Sequence, residues 1–192
     1  MMFKKVMGLA MVLVLTACGG GGGANKGDSV NKDSFDEAAA ERTDVPGSGY
    51  NHATLKGTHY QKVGSRDAKQ DYTVTYDRDG EAWNVVSSSL PAGGDSLAKN
   101  INFTLKYYPL FVSTFEAMLD NMQFSYYLGE DVATLEIYGE SSSGNLVGNV
   151  KCEVTWEAHG LITHWYEKDV WDNYYGYSNV VIEETMNFSY AA

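Results

Sequence analysis

The chain has 192 residues, 44% of them hydrophobic and 13% aromatic, enough for one compact domain with tails and too few for a multidomain assembly. Fourteen lysines and arginines stand against 25 acidic residues, a formal net charge of −11. So acidic a chain has no net field to attract a phosphate backbone, which argues against nucleic acid as a partner.

Residues 1–18 begin Met1-Met2-Phe3-Lys4-Lys5, run through an almost wholly apolar Val6 to Thr16 and end at Ala17-Cys18. A charged start, a short apolar run and a small residue before the cut make a secretory signal over 1–17. The run is too short for a membrane-spanning helix, which needs about 20 residues. Leu15-Thr16-Ala17-Cys18 resembles the lipobox of bacterial lipoproteins. That resemblance implies cleavage before Cys18, diacylglyceryl transfer to its thiol, and acylation of the new amino terminus. Acyl chains hold a water-soluble domain at a membrane without any transmembrane helix. The membrane, reached through Cys18, is therefore an expected partner, and the cell envelope the expected location. In a cell with two membranes the expectation is the outer one, because Gly19 and not Asp follows the cysteine. Loss of Lys4 and Lys5 with the signal leaves 12 basic residues against the same 25 acidic ones, a charge of about −13.

Five consecutive glycines, Gly19 to Gly23, open a stretch with few apolar residues as far as Val45. It reads as a flexible tether over 18–48. The capping pattern Ser34-Phe35-Asp36-Glu37 before three alanines predicts a short helical turn within it. Pro46 and Gly47 mark the entrance to a single domain over 49–192.

From Leu55 onward, period-two alternation predicts half-buried antiparallel strands. Tyr72, Val74 and Tyr76 share one face, as do Ile101, Phe103, Leu105 and Tyr107. Leu146 through Trp156 alternates in the same way, and near the end Val180, Ile182, Met186, Phe188 and Tyr190 share a face that Glu184 interrupts. A carboxylate there needs an ionic partner or an exposed edge. Segments 82–87, 123–128, 132–139 and 161–168 bring the number of strands to about eight. Val74 to Gly80 recurs in character as Val154 to Gly160, where Asp-Gly and His-Gly supply the positive φ of a hairpin turn. The recurrence fits two hairpins meeting one requirement better than a duplication. From Pro109 to Met122, Phe111, Phe115, Met118, Leu119 and Met122 fall on one helical face, with Pro109 suited to the first turn. The expected fold class is α+β but mostly β, a curved antiparallel sheet packed around this one amphipathic helix.

The motifs that suggest chemistry read more simply as structure. Gly94-Asp95-Ser96-Leu97 spells the nucleophile tetrapeptide of a lipase and esterase family, but the Asp-x-x-His that would activate the serine is missing from the sequence. Asp77-Arg78-Asp79-Gly80-Glu81 lacks the late bidentate Glu of a calcium loop, and Asp169-Val170-Trp171-Asp172-Asn173 matches no calcium spacing. His159 and His164 lack the companions of a zinc set, and His52 and His59 read as loop residues. With Cys18 lipidated, Cys152 has no disulfide partner and reads as a small buried residue among apolar neighbours. No enzyme, cofactor or metal is expected.

Two functions remain. Over about residues 55 to 190 the order of strands and helix is similar to the half-barrel families of lipoprotein carriers and lipid-binding lipoproteins, although those carry several helices. The resemblance implies an apolar pocket for a lipid-like ligand, lined by Phe111, Phe115, Met118 and Met122. The alternative is a surface-displayed module that recognises glycan or protein through Trp165, Trp171, Tyr174, Tyr175 and Tyr177, whose rings are interspersed with Asp169, Asp172 and Asn173.

Overall fold

The structure, a computed structural model, describes residues 27–42, 49–80, 82–90 and 105–192, with Lys106 and Phe111 described by backbone alone. The signal, Cys18, the Gly94-Asp95-Ser96-Leu97 tetrapeptide, Glu81 and the first half of the strand expected over 101–107 lie outside these residues.

Nine strands make one antiparallel open sheet. In chain order they are β1 (Asp28–Val30), β2 (His52–Val63), β3 (Arg66–Asp79), β4 (Ala82–Ser88), β5 (Asn121–Leu128), β6 (Val132–Ser143), β7 (Leu146–Glu157), β8 (Ile162–Tyr174) and β9 (Tyr177–Ala191). Their order across the sheet is β1-β5-β6-β7-β8-β9-β2-β3-β4. Among the described residues two helices accompany them, α1 (Lys32–Glu41) and α2 (Tyr108–Met118), the second preceded by a 3-10 turn at Leu105–Tyr107. The mostly-β antiparallel reading therefore holds. Gly80 and Gly160, at φ of 63° and 79°, occupy the left-handed positions expected for them in the β3–β4 and β7–β8 connections.

Three sequence-based expectations are corrected. First, residues 28–41, within the expected tether, are folded against the domain. β1 pairs with β5, and α1 buries Phe35 and Ala39 in the core. The helix is ten residues long because its N-cap is Asn31, whose side chain accepts from Ser34 N at 2.9 Å, three residues before the expected capping box. The Phe35 ring then meets Tyr108 and Tyr126 at 5.1 Å and Trp156 at 6.2 Å between centroids, so one aromatic residue fixes the segment to three parts of the domain. The Tyr108 hydroxyl adds a hydrogen bond to Asp36.

Second, α2 stops at Met118, not Met122. Leu119 turns to extended geometry, and Asp120 N then bonds Glu140 O at 2.8 Å, starting the β5–β6 ladder in which Met122 sits. Gly139 of β6 makes room here, since the space its side chain would fill is held by Leu119 and Met122. Likewise Leu105–Tyr107 is a 3-10 turn and not strand, with Leu105 fully buried and its N–H bonded to Gly160 O at 2.7 Å.

Third, His52 to Val63 is a twelve-residue strand and not a loop. It occupies a central position between β9 and β3 and pairs with both along its whole length. Its inward face reads Ala53, Leu55, Gly57, His59, Gln61, which has too few apolar side chains to register as amphipathic alternation.

Candidate functional site

The pairing registers place the inner face of β8, β9, β2 and β3 in rows. Trp165, Met186, Gly57 and Tyr72 form one row. Glu167, Glu184, His59 and Gln70 form the next, and Asp169, Ile182, Gln61 and Ala68 the third. Within these rows His59, Gln61, Glu167, Asp169 and Glu184 are all at most 5% exposed. Charged and polar side chains reach this depth only when paired or bound, so five on adjacent rows define the site.

Glu184 is at its centre. His59 Nδ1 lies 2.6 Å from Glu184 Oε2, and the Tyr72 hydroxyl donates to Glu184 Oε1 at 2.5 Å. The carboxyl that breaks the apolar face of β9 is thus buried against His59 and Tyr72 rather than at an exposed edge. Tyr72 is two strands from Glu184, and it reaches across because Gly57 lies between them. A β-carbon on Gly57 would sit 2.2 Å from Tyr72 Cζ. Gly57→Ala is expected to displace the ring, break the bond to Glu184 and destabilise the protein by about 1–3 kcal/mol in urea unfolding. A loss below about 0.5 kcal/mol would contradict this packing.

Glu167 and Asp169, two residues apart on β8, form the second half of the site. The Trp171 indole N–H donates to Asp169 Oδ2 at 3.2 Å. Burial pushes the Asp169 carboxyl up to about 7, although hydrogen bonding from Trp171 and Glu167 opposes it. Glu167 is driven well above the ordinary range, first by burial and then by the neighbouring Asp169 and Glu184 charges. Burial, followed by the Glu184 charge, raises Tyr72 as well, which keeps its hydroxyl protonated as a donor. His59 Nε2 and both Nε2 and Oε1 of Gln61 have no hydrogen-bond partner among the described residues, whereas the Glu167 and Asp169 carboxyls are hydrogen-bonded to each other. Each such buried group costs about 1–3 kcal/mol, so the arrangement is not explained by stability.

The residues singled out from sequence are distributed differently. Phe115 is core, while Met118 and Met122 are half-buried against it; the Phe111 side chain and Cys18 lie outside what is described. Trp165, Trp171 and Tyr174 do not form a surface: all three are at most 2% exposed and pack inward. Their alternation on β8 puts them on the face shared with Glu167 and Asp169. Tyr175, 45% exposed at the β8–β9 turn, and the half-buried Tyr177 remain outward. Strand geometry also separates Asp169, which points in, from Asp172, which is exposed, so this segment is no calcium loop.

His59 is not an exposed histidine but the partner of Glu184; the sequence reading missed Glu167 and took Asp169 only as an oxygen donor among the aromatic residues. The available signal was the period of two, which runs unbroken through Trp165, Glu167, Asp169 and Trp171 once polar residues are allowed inside. Cys152, fully buried on β7, faces Glu167 in register. His52 pairs with Asp77 at 2.7 Å on the surface, and the His159 ring meets Tyr50 in the β7–β8 turn region. Among the described residues no three His, Cys, Asp or Glu are grouped to hold a metal ion. On the opposite face of the sheet, a shallow groove of about 490 Å³ is lined by Thr58, Tyr60, Lys69, Glu183 and Thr185. In comparisons with known proteins, the chain matches no family model and no curated protein.

Proposed function

We propose that this chain is a non-catalytic, lipid-anchored protein of the cell envelope that binds a lipid-like ligand against the inner face of its sheet. In this reading Cys18 carries the acyl chains, and a two-membrane cell holds the protein at its outer membrane. The observation that carries the reading is the set of buried polar atoms without partners on β2, His59 Nε2 and the Gln61 amide, which a ligand would satisfy and a self-contained core has no use for. The apolar part of the ligand would lie toward α2, with the helix packed on the sheet through its amphipathic face. Phe115 and Leu119 in the core, and Met118, Met122 and Phe124 packed against it, support that arrangement.

Native mass spectrometry on the full chain, extracted from membranes in mild detergent, tests the proposal. The expected result is an acylated amino terminus at Cys18 and a separate bound species that survives gentle ionisation and extracts as lipid. A clean mass for the acylated chain alone would overturn the binding reading and turn attention to Tyr175 and Tyr177 as contacts for glycan or protein.

A further inference from the structure

We propose that the groove on the outer face of the sheet, lined by Thr58, Tyr60, Lys69, Glu183 and Thr185, binds a neutral saccharide. This site is separate from the ligand reading above, because strand alternation puts its residues on the face opposite His59, Gln61 and Glu184.

The groove follows from side-chain size. Thr185 and Thr58 are neighbours in one row across β9 and β2, and Glu183, Tyr60 and Lys69 form the next row across β9, β2 and β3. On the other side of the threonines, Asn187 and Lys56 stand opposite each other. Two short side chains between longer ones leave a depression of about 490 Å³, within the range of about 300–1,000 Å³ that small-molecule sites occupy.

The polar groups here face a ligand in both senses. Lys168 at 3.1 Å and the Tyr166 hydroxyl at 3.4 Å hold the two oxygens of Glu183, and each oxygen keeps a further lone pair with which to accept. Thr58 gives its proton to Asp71 at 2.6 Å, so its oxygen is left as an acceptor. Among the described residues the Lys69 ammonium and the Thr185 hydroxyl have no side-chain partner. The first only donates, and the second does either. Tyr60 adds an aromatic ring to the wall. The matching ligand both donates and accepts, and has an apolar patch for the ring. The hydroxyls and the C–H face of a sugar meet these requirements together.

Charged and apolar ligands fit less well. An anion meets one unpaired cation, Lys69, beside Glu183 and Asp71, in a chain of net charge −11. A cation meets Lys69 and a Glu183 already neutralised by Lys168. An acyl chain would cover the lysine and the carboxylate without giving either a hydrogen bond.

The sugar is either a single unit or part of a chain. The full chain, kept in a detergent without a sugar head, is titrated with mono- and oligosaccharides of glucose, galactose, mannose and N-acetylglucosamine. Saturable binding of at least one is expected, changing less than about threefold between about 0.05 and 0.5 M salt because no ion pair forms. Similar affinity for a monosaccharide and its oligomer indicates a single unit, and much tighter binding of the oligomer a chain. Lys69→Met and Tyr60→Ala should each weaken binding about tenfold. Thr185→Val, which keeps the shape of the side chain and its fit to a strand, should weaken it about fivefold. Tyr175→Ala, at the β8–β9 turn, should leave it unchanged. The proposal is overturned if none of these sugars binds, or if affinity falls steeply with salt, as it does for an anion. It is also overturned if Tyr175→Ala abolishes binding while Lys69→Met and Thr185→Val leave it intact.

Discussion

Replacing His59 by Leu is expected to destabilise the protein by about 3–5 kcal/mol at neutral pH. Leu fills a similar volume, so the loss comes from Glu184, a side chain 4% exposed that would be left with only the Tyr72 hydroxyl as a partner. The paired variant His59→Leu with Glu184→Leu should recover part of the stability, because the histidine–carboxyl contact is removed from both sides and only the Tyr72 hydroxyl loses its acceptor. Urea unfolding of the two single variants and the double variant measures the coupling directly. A single-variant loss under about 1 kcal/mol would mean that the His59–Glu184 contact is not buried as the register of β2 and β9 places it.

The second large effect is an inverted pH profile. Asp169 in the folded protein holds its proton up to about pH 7, while in the unfolded chain it ionises near its usual 3.8. Between those values the folded state binds more protons than the unfolded one, so stability falls as pH rises through this window. Glu167 is shifted in the same direction and adds to the slope. The combined loss between pH 4 and pH 7 is expected to be a few kcal/mol, on the order of 1.4 kcal/mol for each unit of displacement. Growing repulsion among 25 acidic side chains acts in the same sense. Asp36 and Asp120, held below their ordinary range by Lys32 and by Ser142, act the opposite way only below about pH 4. Both are on the surface, where solvent screens their contribution. Chemical denaturation in steps from pH 4 to 8 should therefore show greatest stability in mild acid, and Asp169→Asn should flatten the curve. A wild-type profile that is level or rises toward pH 7 would rule out a buried, protonated Asp169.

Most of the sheet could be read from sequence because most of its strands bury apolar residues on alternate positions. β7 and β9 are examples: Val150, Cys152, Val154 and Trp156 on one, and Val180, Ile182, Met186 and Phe188 on the other, are buried where the alternation put them. The same rule concealed the site. On β2 the inward residues after Leu55 are Gly57, His59 and Gln61, and a pattern built on hydrophobicity finds nothing there. On β8 the rings of Trp165 and Trp171 looked like surface ligands because carboxylates stood between them. In the structure the rings and the carboxylates face the same way, and the acids follow the tryptophans into the interior. Glu184 was visible as an exception on an apolar face, but its partners, Tyr72 and His59, lie more than a hundred residues earlier. Local spacing carries no information about such a pairing. α1 was underestimated for a related reason: its burial rests on Phe35 and Ala39 alone, too few apolar residues to distinguish it from a polar linker.

The pairing of β2 with β9 also bears on the order in which the molecule can assemble. β5 to β9 follow one another as neighbours in chain order, and so do β2 to β4, so each group can zip locally into a meander. Joining the two requires His52 to Val63 to meet Val180 to Ala191, segments at opposite ends of the described domain. Closing so long a loop is entropically unfavourable and slow. Of the described strands, β9 is synthesised last, and it is the one that joins the two groups. Until it arrives, the early three-stranded unit has an open edge at β2, and the His59–Glu184 pair, with everything built around it, does not exist.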